Sequence, residues 1–283
     1  MNPRTDSSVL ELSGERTAVP VLLADFWRHR DLLAMLARQD YHSRYRSASL
    51  GLLWSIFLPL LQGLVIAVVF SRLIGGGQVG TYVPYVITGV TTYGYLSQSV
   101  TAASTSIVDN GAIAGRIYFP RLVLPTIAPS ANLPGLCISL VIAEAVVLVT
   151  GGGPHLTLLL TPVAVLLVWL LATLAGALLT MLHVYSRDVR YVVQAGLLVL
   201  FYATPVIYFL PGTPGVRALP EALAPFVLAN PATGAVQLVR LALTGDAAYV
   251  GTAVAVTAGW CAVLAVLVTV VYARRERVAC DRL

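Results

Sequence analysis

Apolar stretches free of any charge alternate with short polar breaks along this chain. The charge-free runs cover residues 47–71, 73–108, 122–143, 158–182, 191–210 and 247–273. A helix rises about 1.5 Å per residue, so a run of about 20 apolar residues crosses the roughly 30 Å hydrocarbon layer of a bilayer. The second run is interrupted by Gly75, Gly76, Gly77 and Gly80, which starts its span near Tyr82. The third continues through Glu144 to about Val149, and GGGPHLT at 151–157 makes a tight turn before the fourth. The pattern predicts an all-α, polytopic membrane protein with six transmembrane helices.

The polar breaks have patterns of their own. Residues 1–20 are polar and mixed in charge, which predicts disorder. From residue 21 to 40 a helical period appears. Leu22, Phe26, Leu33, Leu36 and Ala37 fall on one face, and Arg28, Arg30, Asp31, Arg38 and Asp40 on the others. Too charged to span, this N-terminal amphipathic helix suits the membrane interface. Between spans five and six, residues 211–246 contain five prolines yet stay largely apolar. Segments 219–228 and 233–243 are each about half a bilayer long. They read as half-helices re-entering from the outer surface, or as a cap lying on that surface. The resulting divisions are 1–20, the interface helix and following loop at 21–46, the transmembrane domain at 47–273, and a tail at 274–283.

Composition agrees with the pattern. The 283 residues are 58% hydrophobic and 11% charged, where soluble domains average about 25% charged. All 18 basic residues are arginine. Without lysine no P-loop can form, so ATP hydrolysis would need another chain. Fifteen arginines fall in one set of alternate non-membrane segments and three, Arg72, Arg217 and Arg240, in the other. The positive-inside bias then predicts a cell-membrane protein with both termini cytoplasmic. The first apolar run begins near Leu50, behind a long polar segment, which predicts an uncleaved first span. The net charge of +5 is spread over loops and is no nucleic-acid signal. Cys137, Cys261 and Cys280 have neither disulfide nor metal spacing. No arrangement of His29, His42, His155 and His183 with serines or acids suggests an enzyme.

Candidate chemistry sits at the breaks. VDNGAIAGRIYFPR at 108–121 is too polar to remain in lipid. Its centre, 111–118, reads either as a short surface helix that receives force from another protein or as a plain hairpin. Arg44 and Arg46 bracket Tyr45 just before the first span. Such a cluster at headgroup depth fits phosphate binding, since arginine presents fixed donors to phosphate oxygens, and equally fits positive-inside anchoring. Arg187 and Asp188, between spans four and five, suit docking of a partner or capping of the next helix. Glu144 is the only acid well inside a span, either functional or close enough to the outer end to reach water. Pro125, Pro129 and Pro134 should bend the third span. Tyr82, Tyr85, Tyr93 and Tyr95 offer packing and belt residues, or stacking faces for sugar rings.

Four of these stretches together resemble the membrane subunit of ABC transporters that export cell-surface polysaccharides, such as O-antigens, capsules, teichoic acids and mycobacterial galactan. They are RYRSASLGLLWSIFLP at 44–59, DNGAIAGRIYFPRLVLP at 109–125, YSRDVRYV at 185–192 and NPATGAVQLVR at 230–240. The resemblance covers about 25–275. It implies a homodimer bound to two copies of a separate ABC ATPase, which would hold ATP and magnesium, with no cofactor on this chain. It implies an isoprenoid-diphosphate-linked glycan as cargo, received at the membrane lipid surface by Arg44, Tyr45, Arg46 and Trp54. The coupling helix falls on Asp109, Asn110, Arg116, Tyr118 and Phe119, with Arg187 and Asp188 as a second contact. The periplasmic gate helices fall on about 219–243 and include Asn230, Pro231 and Arg240. One departure is Gly115-Arg116, where the family carries a more apolar, lysine-bearing stretch. Two rival readings are a drug or lipid exporter permease of the same architecture, and a passive channel or scaffold without a motor.

Overall fold

In the computed structural model of the chain, residues 26–45, 52–73, 79–110, 120–153, 155–211, 218–245 and 247–280 are described. The predicted disorder of 1–20 lies outside them, as does Arg46. So does the centre of the proposed coupling segment, with Arg116, Tyr118 and Phe119. The helices are α1 (Arg30–Tyr45), α2 (Leu52–Leu73), α3 (Val79–Asp109), α4 (Val123–Val149), α5 (Thr161–Tyr185), α6 (Val189–Ala203), α7 (Ala224–Leu228), α8 (Pro231–Thr244) and α9 (Val250–Cys280). Short 3₁₀ turns at Leu156–Leu160 and Glu221–Leu223 lead into α5 and α7. No strand occurs among the described residues.

Three helical stretches are long and apolar enough to cross a membrane: Val123–Val149, Leu156–Tyr185 and Val250–Arg274. Shorter apolar helices lie at Phe57–Ser71 and Val189–Ala203. α3 has the length, at 31 residues, but is too rich in Thr, Ser and Tyr to pass as a lipid-facing span on composition. Its position explains this. It packs against α2, α4, α5, α6 and α8, and nearly every residue from Tyr82 to Ile107 is buried or half-buried. A helix wrapped in protein need not be apolar provided its polar groups are satisfied. The hydroxyls of Thr88 and Thr92 bond back to the carbonyls of Pro84 and Thr88, at 2.8 and 2.7 Å.

The contacts make successive long helices antiparallel. The end of α3 meets the end of α5, where the Ile107 amide and the Ser106 hydroxyl meet the Thr180 hydroxyl at 3.3 and 3.4 Å. Ile107 clusters there with Val123 and Leu124 of α4, Met181 of α5 and Tyr272 of α9. The apolar stripe of α1 joins this cluster through Leu32, Leu33 and Leu36. That face therefore meets protein, chiefly α4. The start of α3, the end of α6 and all of α8 gather around the larger core cluster, away from α1.

Two predicted boundaries move. The fifth span does not run to 210: α6 stops at Ala203, because Thr204 is extended (φ −94, ψ 139) ahead of Pro205, as the proline ring requires of the residue before it. At the C-terminus, α9 continues beyond 273 to Cys280. The apolar proline-rich segment folds as two short helical pieces, Glu221–Leu228 and Pro231–Thr244, bent 99° to one another. Residues Ala232 to Arg240 of α8 are all buried. α8 is packed against α9, α3 and α5.

Candidate functional site

A cleft of about 550 Å³ opens between α2, α3, α4 and α6. Each helix contributes one stripe, at the 3–4 residue spacing of a single helical face. α2 presents Leu58, Pro59 and Gln62, and α3 presents Thr91, Gly94, Tyr95, Gln98 and Thr101. α4 presents Asn132, Gly135, Leu136 and Ser139, and α6 presents Gln194, Leu197, Leu198, Phe201 and Tyr202. Among the described residues, none in the lining is an Asp, Glu, Lys, Arg or His. The polar groups are amides and hydroxyls, and the rings are those of Tyr93, Tyr95, Phe201 and Tyr202.

The four tyrosines of α3 divide between two tasks. Tyr93 and Tyr95 line the cleft, with their hydroxyls donated to the backbone carbonyls of Leu197 and of Pro129 (2.8 Å). Tyr82 and Tyr85 instead hold the irregular segment after α6. Tyr82 donates to Ile207 O at 2.7 Å and Tyr85 to Tyr208 O at 2.7 Å, and both rings pack on Phe209.

The same segment meets Arg240, which is 1% exposed. Its guanidinium donates to Gln237 Oε1 at 2.8 Å, to Tyr85 O at 3.2 and 3.3 Å, and to Val206 O at 3.3 Å. The guanidinium carbon lies 3.4 Å from the centre of the Tyr85 ring. One side chain thus ties α8 to α3 and to the chain leaving α6. Gly89 makes room for it: a Cβ there would stand 2.7 Å from a guanidinium nitrogen. Asn230 and Pro231 have structural tasks at the head of α8. Asn230 is the N-cap, accepting from the Ala232 amide at 2.8 Å and donating to the Thr204 hydroxyl at 2.9 Å. Pro231 occupies the first turn, where no amide hydrogen is needed.

At the α1 end, Asn110 closes α3 by donating to Ser106 O at 2.8 Å, and Asp109 is exposed beside it. Arg187 and Asp188 are exposed in the turn between α5 and α6. Asp188 stands at the N-cap of α6 but makes no side-chain capping bond, which leaves its carboxylate outward. Arg44 and Tyr45 form the last turn of α1 and Trp54 lies in the first turn of α2; their side chains are outside the described residues. Glu144 is half-buried on α4, not in the cleft, and its Oε2 has no hydrogen-bond partner among the described residues. No group of metal-ligating side chains occurs among the described residues.

The cleft amides were not singled out in the sequence, though a signal existed. Gln62, Gln98, Asn132 and Gln194 interrupt otherwise apolar runs, each on the same helical face as a ring or a small residue.

Long apolar helices around a polar interior define a multi-pass membrane protein. The family model described as ABC-2 type transporter matches residues 31–244, and the chain belongs to that family. Among curated proteins it is similar to the O-antigen export system permease protein RfbA of Myxococcus xanthus, 28% identical over 187 residues. That match covers 66% of this chain and 72% of the relative. The protein of the same name from Klebsiella pneumoniae is 29% identical over 181 residues, 63% of this chain and 69% of the relative.

Proposed function

We propose that this chain is the permease subunit of an ATP-driven exporter that carries a lipid-diphosphate-linked polysaccharide across the inner, cytoplasmic membrane. The observation that carries the reading is the cleft. A membrane interior lined by amides, hydroxyls and tyrosine ring faces matches a hydrated sugar chain better than the apolar pocket a drug permease would need. The relatives named for O-antigen export support it. Membership of the ABC-2 family implies an ATPase partner; we place it on a separate subunit in two copies, carrying ATP and magnesium, against a homodimer of this chain with six spans per copy.

The parts then take roles. Arg44, Tyr45 and Arg46, with Trp54 one span-turn further on, receive the diphosphate at headgroup depth. The ATPase presses on 109–119 and on the exposed Arg187–Asp188 turn. α3 is the lever: of its 31 residues, Asp109 stands at the pressed end and Tyr85 near the other, where Arg240 of α8 grips its carbonyl. α7 and α8 are re-entrant gate helices that give way at the outer face. Both termini are cytoplasmic in this arrangement. The test is Arg44→Ala with Arg46→Ala in the complete transporter. Substrate-stimulated ATP hydrolysis should fall about tenfold, the loss of roughly one charge-assisted phosphate contact. Unchanged hydrolysis and export would remove the recognition role.

A further inference from the structure

We infer that the glycan passing this chain is uncharged, and that the cleft discriminates against polymers bearing carboxylates or phosphates along their length. The inference rests on the export reading above and narrows its cargo.

The argument is one of matching groups. A sugar hydroxyl both donates and accepts, and so does each amide of Gln62, Gln98 and Gln194, which three different helices expose to the cleft. A carboxylate or phosphate only accepts, so it would find half of each amide repulsive. Thr91, also in the lining, has a buried hydroxyl with no hydrogen-bond partner among the described residues. Tyr93 and Tyr95 could have supplied anion donors, but both hydroxyls are committed to backbone carbonyls. Both residues are buried, and the open ring of the lining is that of Tyr202, 64% exposed; aromatic faces are electron-rich, attract C–H edges and repel anions. Among the described residues no cation stands in the lining. Arg240, the arginine buried among the described residues, is occupied by Gln237, Val206 and Tyr85. A fixed anion drawn through such a passage would lose hydration without a compensating charge, where anion pathways in membranes use arginine or lysine rings.

Two measurements test this. Depletion of the chain in its native cell should leave a glycan on carrier lipid whose repeat contains neither uronic acid nor phosphate beyond the lipid linkage. An anionic group in each repeat overturns the inference and leaves the export reading standing. Accumulation of no glycan at all overturns the export reading itself. The second measurement compares Gln98→Glu with Gln98→Arg in the complete transporter, export being normalised to the chain present in membranes. With a neutral polymer both variants should lower export, by factors within about twofold of one another, because neither sign of charge meets an opposite along the repeats that follow the single diphosphate. A glutamate variant about tenfold worse than the arginine variant would identify a polyanion and overturn the inference. Export at the unsubstituted level in both variants would take Gln98 off the path and overturn it as well. The glycan composition stands whether or not either variant folds.

Discussion

Arg240 is a buried cation answered by dipoles and a ring. It meets two backbone carbonyls, one side-chain amide and the Tyr85 face. Truncation would strand the carbonyls of Tyr85 and Val206 in the protein interior and open a cavity beside Gly89. Arg240→Ala should therefore destabilise the chain by about 3 kcal/mol, read as a lower midpoint of thermal unfolding in detergent. Arg240→Lys keeps the charge but not the planar fork that reaches Gln237 and both carbonyls together, so it should recover less than half of that loss. Full recovery with lysine would mean that charge alone matters at this position. The motif NPATGAVQLVR could be read from sequence as a gate, but not why it needs arginine. The partners of Arg240 lie 155 and 34 residues away in the chain, and a periodicity argument does not reach that far.

Among the helices, small residues set the spacing. Gly234 of α8 lies against α9, where a Cβ would come within 2.1 Å of Ala253 O and 2.4 Å of the Thr257 hydroxyl oxygen. Gly176 of α5 lies against α3, where a Cβ would meet that of Ala103 at 2.3 Å. Close approach of backbones through small residues is how membrane helices gain packing that water does not drive. Gly234→Ala and Gly176→Ala should each cost about 1–3 kcal/mol as neighbours are forced apart. Gly259→Ala on α9, where a Cβ meets nothing within 4 Å, should be neutral or stabilising by up to about 1 kcal/mol. Thermal midpoints of the three variants in one detergent would check the contrast; a Gly259 variant as damaged as the other two would defeat it. Helix existence was legible for every long charge-free run, because length and lack of charge decide it. The end of α6 was less so: the Thr204–Pro205 break sits inside an apolar run whose composition hides it. The polar stripes of the cleft were visible as isolated amides in apolar runs, but their convergence depends on how four helices are arranged. For Arg46, Arg116, Tyr118 and Phe119 the roles rest on sequence and resemblance alone.

On the scale of the whole molecule, two independent patterns bear on orientation. Contacts group α1, the end of α3, the start of α4, the end of α5 and the far end of α9 at one pole. Of the fifteen arginines that the sequence bias assigns to the cytoplasmic side, Arg28, Arg30, Arg38, Arg121, Arg187, Arg190 and Arg274 fall on described stretches at or beside that pole. The opposite pole holds the α6 exit, α7 and the turn ahead of α5, where Thr157 reaches Ala242 O at 3.4 Å and the His155 ring abuts Gly245, left-handed at φ +74. Neither pattern depends on the other, since helix packing is decided by side-chain shape and the arginine bias by insertion. If both describe one orientation, single cysteines should sort by pole. In a background lacking Cys137, Cys261 and Cys280, Ser186→Cys in the exposed α5–α6 turn should react with a membrane-impermeant maleimide only after the cells are opened. Ala222→Cys, exposed ahead of α7, should react in intact spheroplasts. Reversed labelling would invert the chain and put the arginines proposed to receive the diphosphate on the wrong leaflet. Labelling of both in intact spheroplasts would break the antiparallel order of the spans, and with it the path from the Arg187–Asp188 turn along α3 to Arg240.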